Sequence, residues 1–273
     1  SDIVHVHSTP LILRFFHGFF SKLLFKKNLI TIHSLTLIKN KYSLYCLRII
    51  CFLFYDKIIY VSNSISSKVA VKGYIIPAFV PPKMDEEVDL PELLLARLSF
   101  SEKFIISSNA YRLNFYNQVD LYGLDLLIDC CFEIKKQGYY DFLFVFVVGD
   151  PSFNSHLLEI YESRIIEYGI SNMFLIYKGD ISFVKLIQKS NLVIRATNTD
   201  GDAISVRESL FLGKSVICSD VVDRPNGVIL FKNRELFSLI NKILYVYNDM
   251  KKEDLNIFSG KFSCNLDIIY NDF

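Results

Sequence analysis

The sequence predicts an α/β protein of two Rossmann-like, doubly wound domains, the first N-terminally incomplete. Three observations lead there. Apolar β-rich runs alternate with longer helical patterns almost throughout the chain. The strand runs are nearly continuous in Val, Ile, Leu and Phe, as in Phe142-Leu-Phe-Val-Phe-Val-Val148, which implies burial on both faces and hence parallel sheets covered by helices. Residues 74–82 then hold three prolines, and Asp85-Glu-Glu87 reverses the sign of the charge, marking a linker. The expected domains are 1–82 and 83–273, with the last helix able to pack back on the first domain.

In the first domain, residues 3–7, 29–33 and 57–62 read as strands, and residues 11–25, 42–54 and 64–72 as helices. In the second, strands are expected at 104–107, 142–149, 173–177, 192–194, 215–219 and 228–231. Helical patterns fall near 121–136, 155–168, 182–190, 203–212 and 235–249. About three strands against six, and a start inside a strand, suggest that a leading segment would complete the first sheet.

With 51% hydrophobic and 22% charged residues the chain is globular rather than disordered. No apolar run approaches the ~20 residues that span a bilayer. The longest, residues 44–55, carries Arg48 and is expected as a buried helix. No signal peptide is recognised at the start. Six cysteines lie mostly in apolar runs without a Cys-x-x-Cys pair, which points to core thiols of a reduced, cytoplasmic protein. The net charge of +1 conceals an asymmetry: residues 1–84 hold eleven Lys or Arg against Asp2 and Asp56, giving +9 and leaving −8 for the rest. A basic half suits an anionic surface or ligand, or is simply a solvated face.

The most informative stretch runs from Asp200 to Glu208. A polar turn (Thr197-Asn-Thr-Asp-Gly-Asp202) follows the strand at 192–194 and feeds a helix that ends at Gly213. Such a loop presents free backbone N–H groups, a seat for phosphate, while carboxylates accept hydrogen bonds from hydroxyls. Ala203, Val206 and Leu210 share one helical face, Ile204 and Phe211 another, so the helix should be buried and Glu208 should have a partner, either an internal base such as Arg207 or a ligand's hydroxyls. Asp200 or Asp202 could instead cap the helix.

This segment resembles the E-x7-E region of retaining GT-B glycosyltransferases, family 4 in particular, with Asp200 for the first Glu and Ala203 for the second glycine. Other pieces resemble that family in the same order. Asp2-Ile-Val-His-Val-His7 is similar to its D-x-x-H-x-H strand end, and Ile30-Thr-Ile-His33 to its second histidine-bearing strand. Asp56-Lys-Ile-Ile-Tyr-Val-Ser62 matches a strand ending in serine, Ile75-Ile-Pro77 the lead into the linker, and Leu121-Tyr-Gly-Leu-Asp-Leu-Leu-Ile128 its K-G-x-D-x-L-I helix start. The resemblance covers nearly the whole chain. It implies a GT-B fold, two Rossmann-like domains facing a cleft. It further implies that Glu208 holds the ribose of a nucleotide-sugar donor and Asp200 the sugar hydroxyls. The donor side would also include Gly201, Asp202, Ala203, Ile204 and Arg207. His7 would reach toward the sugar, with His5 expected on the opposite face of the strand. The diphosphate, gripped in the family by an Arg and a Lys, would meet Arg112. The lysine's place is taken by Tyr122 after an insertion at 114–120, so Arg195 or Arg207 is the expected substitute.

The family's chemistry implies transfer with retention, without metal or cofactor, to a saccharide or lipid-linked acceptor in bacterial surface polysaccharide synthesis. Asp200, Arg112 and His7 are the expected catalytic residues. Residues 10–27 mix aromatics with Arg14, Lys22, Lys26 and Lys27, and read equally as a helix resting on anionic lipid or as a core helix with a basic edge. The chain is expected in the cytoplasm, peripheral to the membrane. No nucleic-acid motif is present. A nucleotide-sugar epimerase and a non-catalytic scaffold of the same fold are the competing expectations.

Overall fold

The computed structural model describes residues 2–7, 10–33, 40–76, 79–99, 102–200 and 203–252. The backbone divides into two compact units with the break between Val80 and Pro81.

In the first unit, β1 (Ile3–Val6), β2 (Lys27–Ile32), β3 (Lys57–Tyr60) and β4 (Tyr74–Ile75) form a parallel sheet in that order. The connections are α1 (Leu11–Leu23), α2 (Lys41–Phe54) and α3 (Asn63–Val69). Because the strands advance in one direction, right-handed crossovers place all three helices on one face. There Val6, Ile30, Ile32, Ile58 and Tyr60 pack with Leu47, Ile50, Cys51 and Tyr55. The Asn40 side chain caps α2 by accepting from Ser43 N–H, and Ser62 caps α3 by accepting from Ile65 N–H. Four strands stand where about three were expected. The fourth is only two residues long, too short to show a period, and is held by its pairing with β3.

The second unit opens with α4 (Glu92–Ser99), which the sequence pattern did not suggest. Its Leu94 and Leu98 bury against Ile105, Leu143, Val145 and Val147. Then come β5 (Phe104–Ala110), a hairpin of β6 (Phe115–Tyr116) and β7 (Val119–Asp120), α5 (Leu124–Lys136), β8 (Phe142–Val148), α6 (Ser155–Glu167) and β9 (Phe174–Lys178). The chain continues through α7 (Phe183–Lys189), β10 (Leu192–Arg195), α8 (Ile204–Phe211), β11 (Ser215–Ser219), β12 (Ile229–Phe231) and α9 (Leu236–Lys252). The hairpin occupies the expected insertion; Asn117 and Gln118 both take positive φ, as a tight two-residue hairpin turn requires.

Six parallel strands run in the order β12-β11-β10-β5-β8-β9. Counted along the chain this is 3-2-1-4-5-6 read from the β9 edge, the doubly wound order whose winding reverses between its first and fourth strands. Phe142, Phe144, Phe146 and Val148 of β8 enter the core beneath α5, while Leu143, Val145 and Val147 face α4 and Leu186 of α7. The expected burial on both strand faces is therefore met.

Two expectations about helix burial are corrected. On α2, Leu47, Ile50 and Cys51 are buried, but Tyr42, Tyr45, Phe52 and Leu53 are exposed. On α8, only Val206 and Ser209 are fully buried and Ile204 is exposed. Apolar content alone does not say how much of a helix finds a neighbour. Cys51, Cys130, Cys131 and Cys218 are buried free thiols and Cys46 is exposed; burial pushes the Cys131 thiol up to about 12. Cys264 lies outside the described residues.

Candidate functional site

The reversal of winding in the second sheet falls between β5 and β10, where the following loops leave in opposite directions. Ligands of doubly wound sheets bind beyond the carboxyl ends of the strands at this point. Gly123 fixes its geometry. It precedes α5 with φ +72°, and a Cβ there would lie 2.4 Å from the carbonyl oxygen of Ala196. The start of α5 is thus pressed against the loop leaving β10, which only glycine permits. Asn198 ties that loop to the hairpin: its backbone N–H donates to Leu121 O at 3.1 Å and its Nδ2 to Asp120 O at 2.9 Å. The buried Asp120 carboxylate accepts from Tyr122 and Gly123 N–H and from the Tyr161 hydroxyl. Asp120 therefore replaces the first turn of the helix expected from residue 121.

Asp200 sits in the same loop but does not cap α8, whose preceding residue is Ala203. Its carboxylate lies between two arginines. Arg195 Nε donates to Oδ2 at 3.1 Å and Arg224 Nη1 at 2.9 Å, and the Thr197 hydroxyl donates to the same oxygen at 3.1 Å. Arg195 Nη2 reaches Oδ1 at 3.4 Å. Burial opposes the charge on Asp200, but the two guanidiniums outweigh it and hold the carboxyl below its ordinary range. Arg224 is buried, its side chain 3% exposed, and also donates from Nε to Ser219 O at 3.3 Å. Arg195 donates from Nη1 to Asn109 O at 3.3 Å, so it straddles the switch point, and its guanidinium lies 5.3 Å from the ring centre of Tyr122. Two guanidiniums against one carboxylate leave a local positive charge beside the position where the family's lysine was expected.

Glu208 is different in kind. It is half-buried on α8, and among the described residues no hydrogen bond or ion pair reaches its carboxylate. Burial raises its pKa, and the charge of Glu87 raises it further. Glu87 itself accepts from the Ser182 hydroxyl at 2.6 Å. Of the two partners expected for Glu208, the internal base is not found among the described residues: Arg207, half-buried beside it in sequence, does not pair with it. A partly desolvated acceptor is left in the site.

Arg112 follows β5 and is half exposed. Its Nε donates to Asp150 at 2.8 Å, and its guanidinium lies near the rings of Tyr111 and Phe153. Ala203 and Ile204 stand at the start of α8; Gly201 and Asp202 lie outside the described residues.

In the first unit, His7 follows β1, and its Nδ1 lies 2.9 Å from His33 Nε2. His5 Nε2 bonds Thr31 Oγ1 at 2.7 Å, and its ring centre is 4.1 Å from that of His7. The expectation that His5 points away from His7 is corrected. Two residues are one full period of a strand, so both rings share a face. Burial, then the neighbouring His7 and His33, lower the His5 pKa to about 4.

Sequence reasoning missed Arg224 and Glu87. Neither carries a motif: Arg224 lies in a polar loop after a buried strand, and Glu87 in an acidic run that reads as a linker.

With its two parallel α/β units, the chain has a Rossmann-like GT-B fold. No protein-family model matches the sequence, and no curated protein matches it. Among solved structures, the chain is similar to the Anabaena protein HepE in complex with UDP (TM-score 0.64, 14% identity, 91% of this chain and 70% of that one). It is also similar to a glycosyltransferase from Rickettsia africae (TM-score 0.63, 17% identity, 92% and 67%). A third is the trehalose-6-phosphate synthase OtsA (TM-score 0.63, 12% identity, 90% and 65%).

Proposed function

We propose that the chain is a glycosyltransferase that takes its sugar from a nucleotide-diphosphate donor, transfers it with retention to a saccharide or lipid-linked acceptor, and serves surface polysaccharide synthesis in the cytoplasm. The observation that carries this reading is Glu208: a half-buried carboxylate without a partner among the described residues, on the helix that follows the switch-point loop. An acceptor left unpaired in a partly dry site is suited to ribose hydroxyls.

The sequence-based roles change in one respect. Asp200 has its oxygens engaged by Arg195, Arg224 and Thr197, so its part is to hold the two guanidiniums rather than to bind sugar hydroxyls. Arg195, the less buried of the pair, then faces the donor diphosphate in place of the expected lysine, with Arg112 as the second cation. Guanidiniums pre-positioned where charge develops stabilise the departing diphosphate without having to reorganise. Backbone amides at the start of α8 complete the proposed set in the second unit; in the first unit, His7 is the residue proposed to act. No metal is assigned a role. That HepE has been solved with UDP and with UDP-glucose supports a uridine donor as the first to try.

Thermal shift and calorimetry with UDP, GDP and their sugars test the reading, because a ligand of the folded state raises its stability. Binding of one nucleotide class that weakens at least tenfold in Glu208→Gln is expected. No binding of any would overturn it. A second reading, a scaffold that binds nucleotide without transferring sugar, is favoured by the engaged oxygens of Asp200. Tight nucleotide binding with neither transfer nor donor hydrolysis would select it.

A further inference from the structure

Helix α1 is inside out. Its three fully buried residues are Arg14, Gly18 and Ser21, spaced along one helical stripe. Its apolar residues face solvent instead: Ile12 is 63% exposed, Phe16 45%, Phe20 53% and Leu23 61%, and just beyond the helix Phe25 is 97% exposed. The arrangement is fixed by close packing on the inner side. A Cβ on Gly18 would lie 2.7 Å from Phe54 Cβ. The Gly18 carbonyl accepts from Asn28 Nδ2 at 3.2 Å, and the Arg14 carbonyl from the Tyr55 hydroxyl at 2.7 Å. Rotating the helix to bury its phenylalanines would break these contacts. Phe15 and Phe19 pack edge-on against Phe54, so the apolar surface continues onto α2, where Tyr45, Phe52 and Leu53 are exposed.

A soluble surface seldom leaves so many large apolar side chains together without a partner. Charge decides which partner. Residues 1–80 carry a large positive excess, ten Lys or Arg against two acids. Both of those acids are already engaged, Asp56 with Lys22 and Asp2 with Lys26. A second copy would bring the same excess to the same face and be repelled, whereas an anionic bilayer both accepts aromatic side chains at its headgroup boundary and attracts the basic rim.

We infer that the outward faces of α1 and α2 form a membrane-docking surface for anionic phospholipid, with Phe16, Phe20 and Phe25 entering the headgroup boundary. No helix among the described residues is long and apolar enough to cross a bilayer, so the surface lies on the membrane. The inference names the surface by which the proposed enzyme would meet a lipid-linked acceptor, yet it needs no donor chemistry.

Flotation of the full chain with vesicles, without nucleotide, tests it. Binding to phosphatidylcholine vesicles containing a third phosphatidylglycerol is expected, with at least tenfold less on pure phosphatidylcholine. Phe16→Glu/Phe20→Glu should lose binding at least tenfold while keeping the far-ultraviolet dichroism and melting temperature of the parent. No binding to anionic vesicles, or undiminished binding of the folded double variant, overturns the inference. So does a dimer in sedimentation equilibrium that the variant abolishes, which assigns the face to a second copy. Nucleotide binding, measured separately, stays unchanged in the variant, so failure here leaves the donor site standing.

Discussion

Helices α1 and α5 have the same length, 13 residues, and comparable apolar content, yet they are built in opposite senses. On α5, Leu124, Leu126, Leu127, Ile128, Cys130, Cys131 and Ile134 are buried beneath β8, with Lys135 and Lys136 at the outer end. On α1 a buried arginine, glycine and serine face inward and the phenylalanines outward. The first arrangement is what the hydrophobic effect produces when the helix's neighbours are all within its own unit. The second is stable only because backbone contacts at Gly18 and Arg14 replace side-chain burial on the inner face. On the inference drawn above, the difference separates a helix that serves stability from one that serves an encounter.

The largest effect is expected where charge is buried. Asp200→Ala would leave Arg224 without its carboxylate, and breaking one partner of a buried ion pair costs about 3–5 kcal/mol. Urea denaturation measures it; a loss below about 1 kcal/mol would mean that the network is not formed. The same pair gives a pH dependence. The folded pKa of Asp200 lies below its ordinary 3.8, so its stabilisation is complete at neutral pH, begins to fade as pH falls toward 3.8, and is lost through the folded pKa. Asp200→Asn should remove that acid limb of the stability profile.

Next comes the direct contrast of the two helices. Leu127→Ala, under β8, should cost about 2–5 kcal/mol by opening a cavity. Phe20→Ser on α1 should change stability by about 0.5 kcal/mol or less while weakening vesicle binding. Equal losses from the two substitutions would break the comparison. The smallest expected effect is that of Glu208→Gln. Burial and Glu87 hold the Glu208 pKa above its ordinary value, so its ionised form opposes folding at neutral pH and protonation relieves this as pH falls. The variant should melt at the same or a slightly higher temperature while binding nucleotide less well, the pattern of a residue kept for function. A lower melting temperature would point to an unseen structural role.

Much of the fold was legible because strands and helices write different periods. The six parallel strands of the second sheet stand where apolar runs placed them, and the reversal of charge near residue 85 lies close to the break at Pro81. Elements of two residues, β4, β6 and β7, were not legible, since a period needs several residues to show. Helix α4 was hidden beside a proline-rich stretch and an acidic run.

In the candidate site, the loop and helix carrying Asp200 and Glu208 were readable from spacing; that Tyr122 stands in place of a lysine was readable only from the family resemblance. That Asp200 faces two guanidiniums and Glu208 none was not. Arg224 reaches Asp200 across 24 positions and Glu87 affects Glu208 across more than a hundred, and nothing local marks either.

The sequence by itself determined which segments are strands and helices, that the sheets are parallel, and where the polar loop after β10 begins, because these depend on local periodicity and turn chemistry. Only the tertiary structure decided which carboxylate is neutralised and which is left open, and which side of α1 meets solvent. Those outcomes depend on groups distant along the chain that compete for the same space and the same charge.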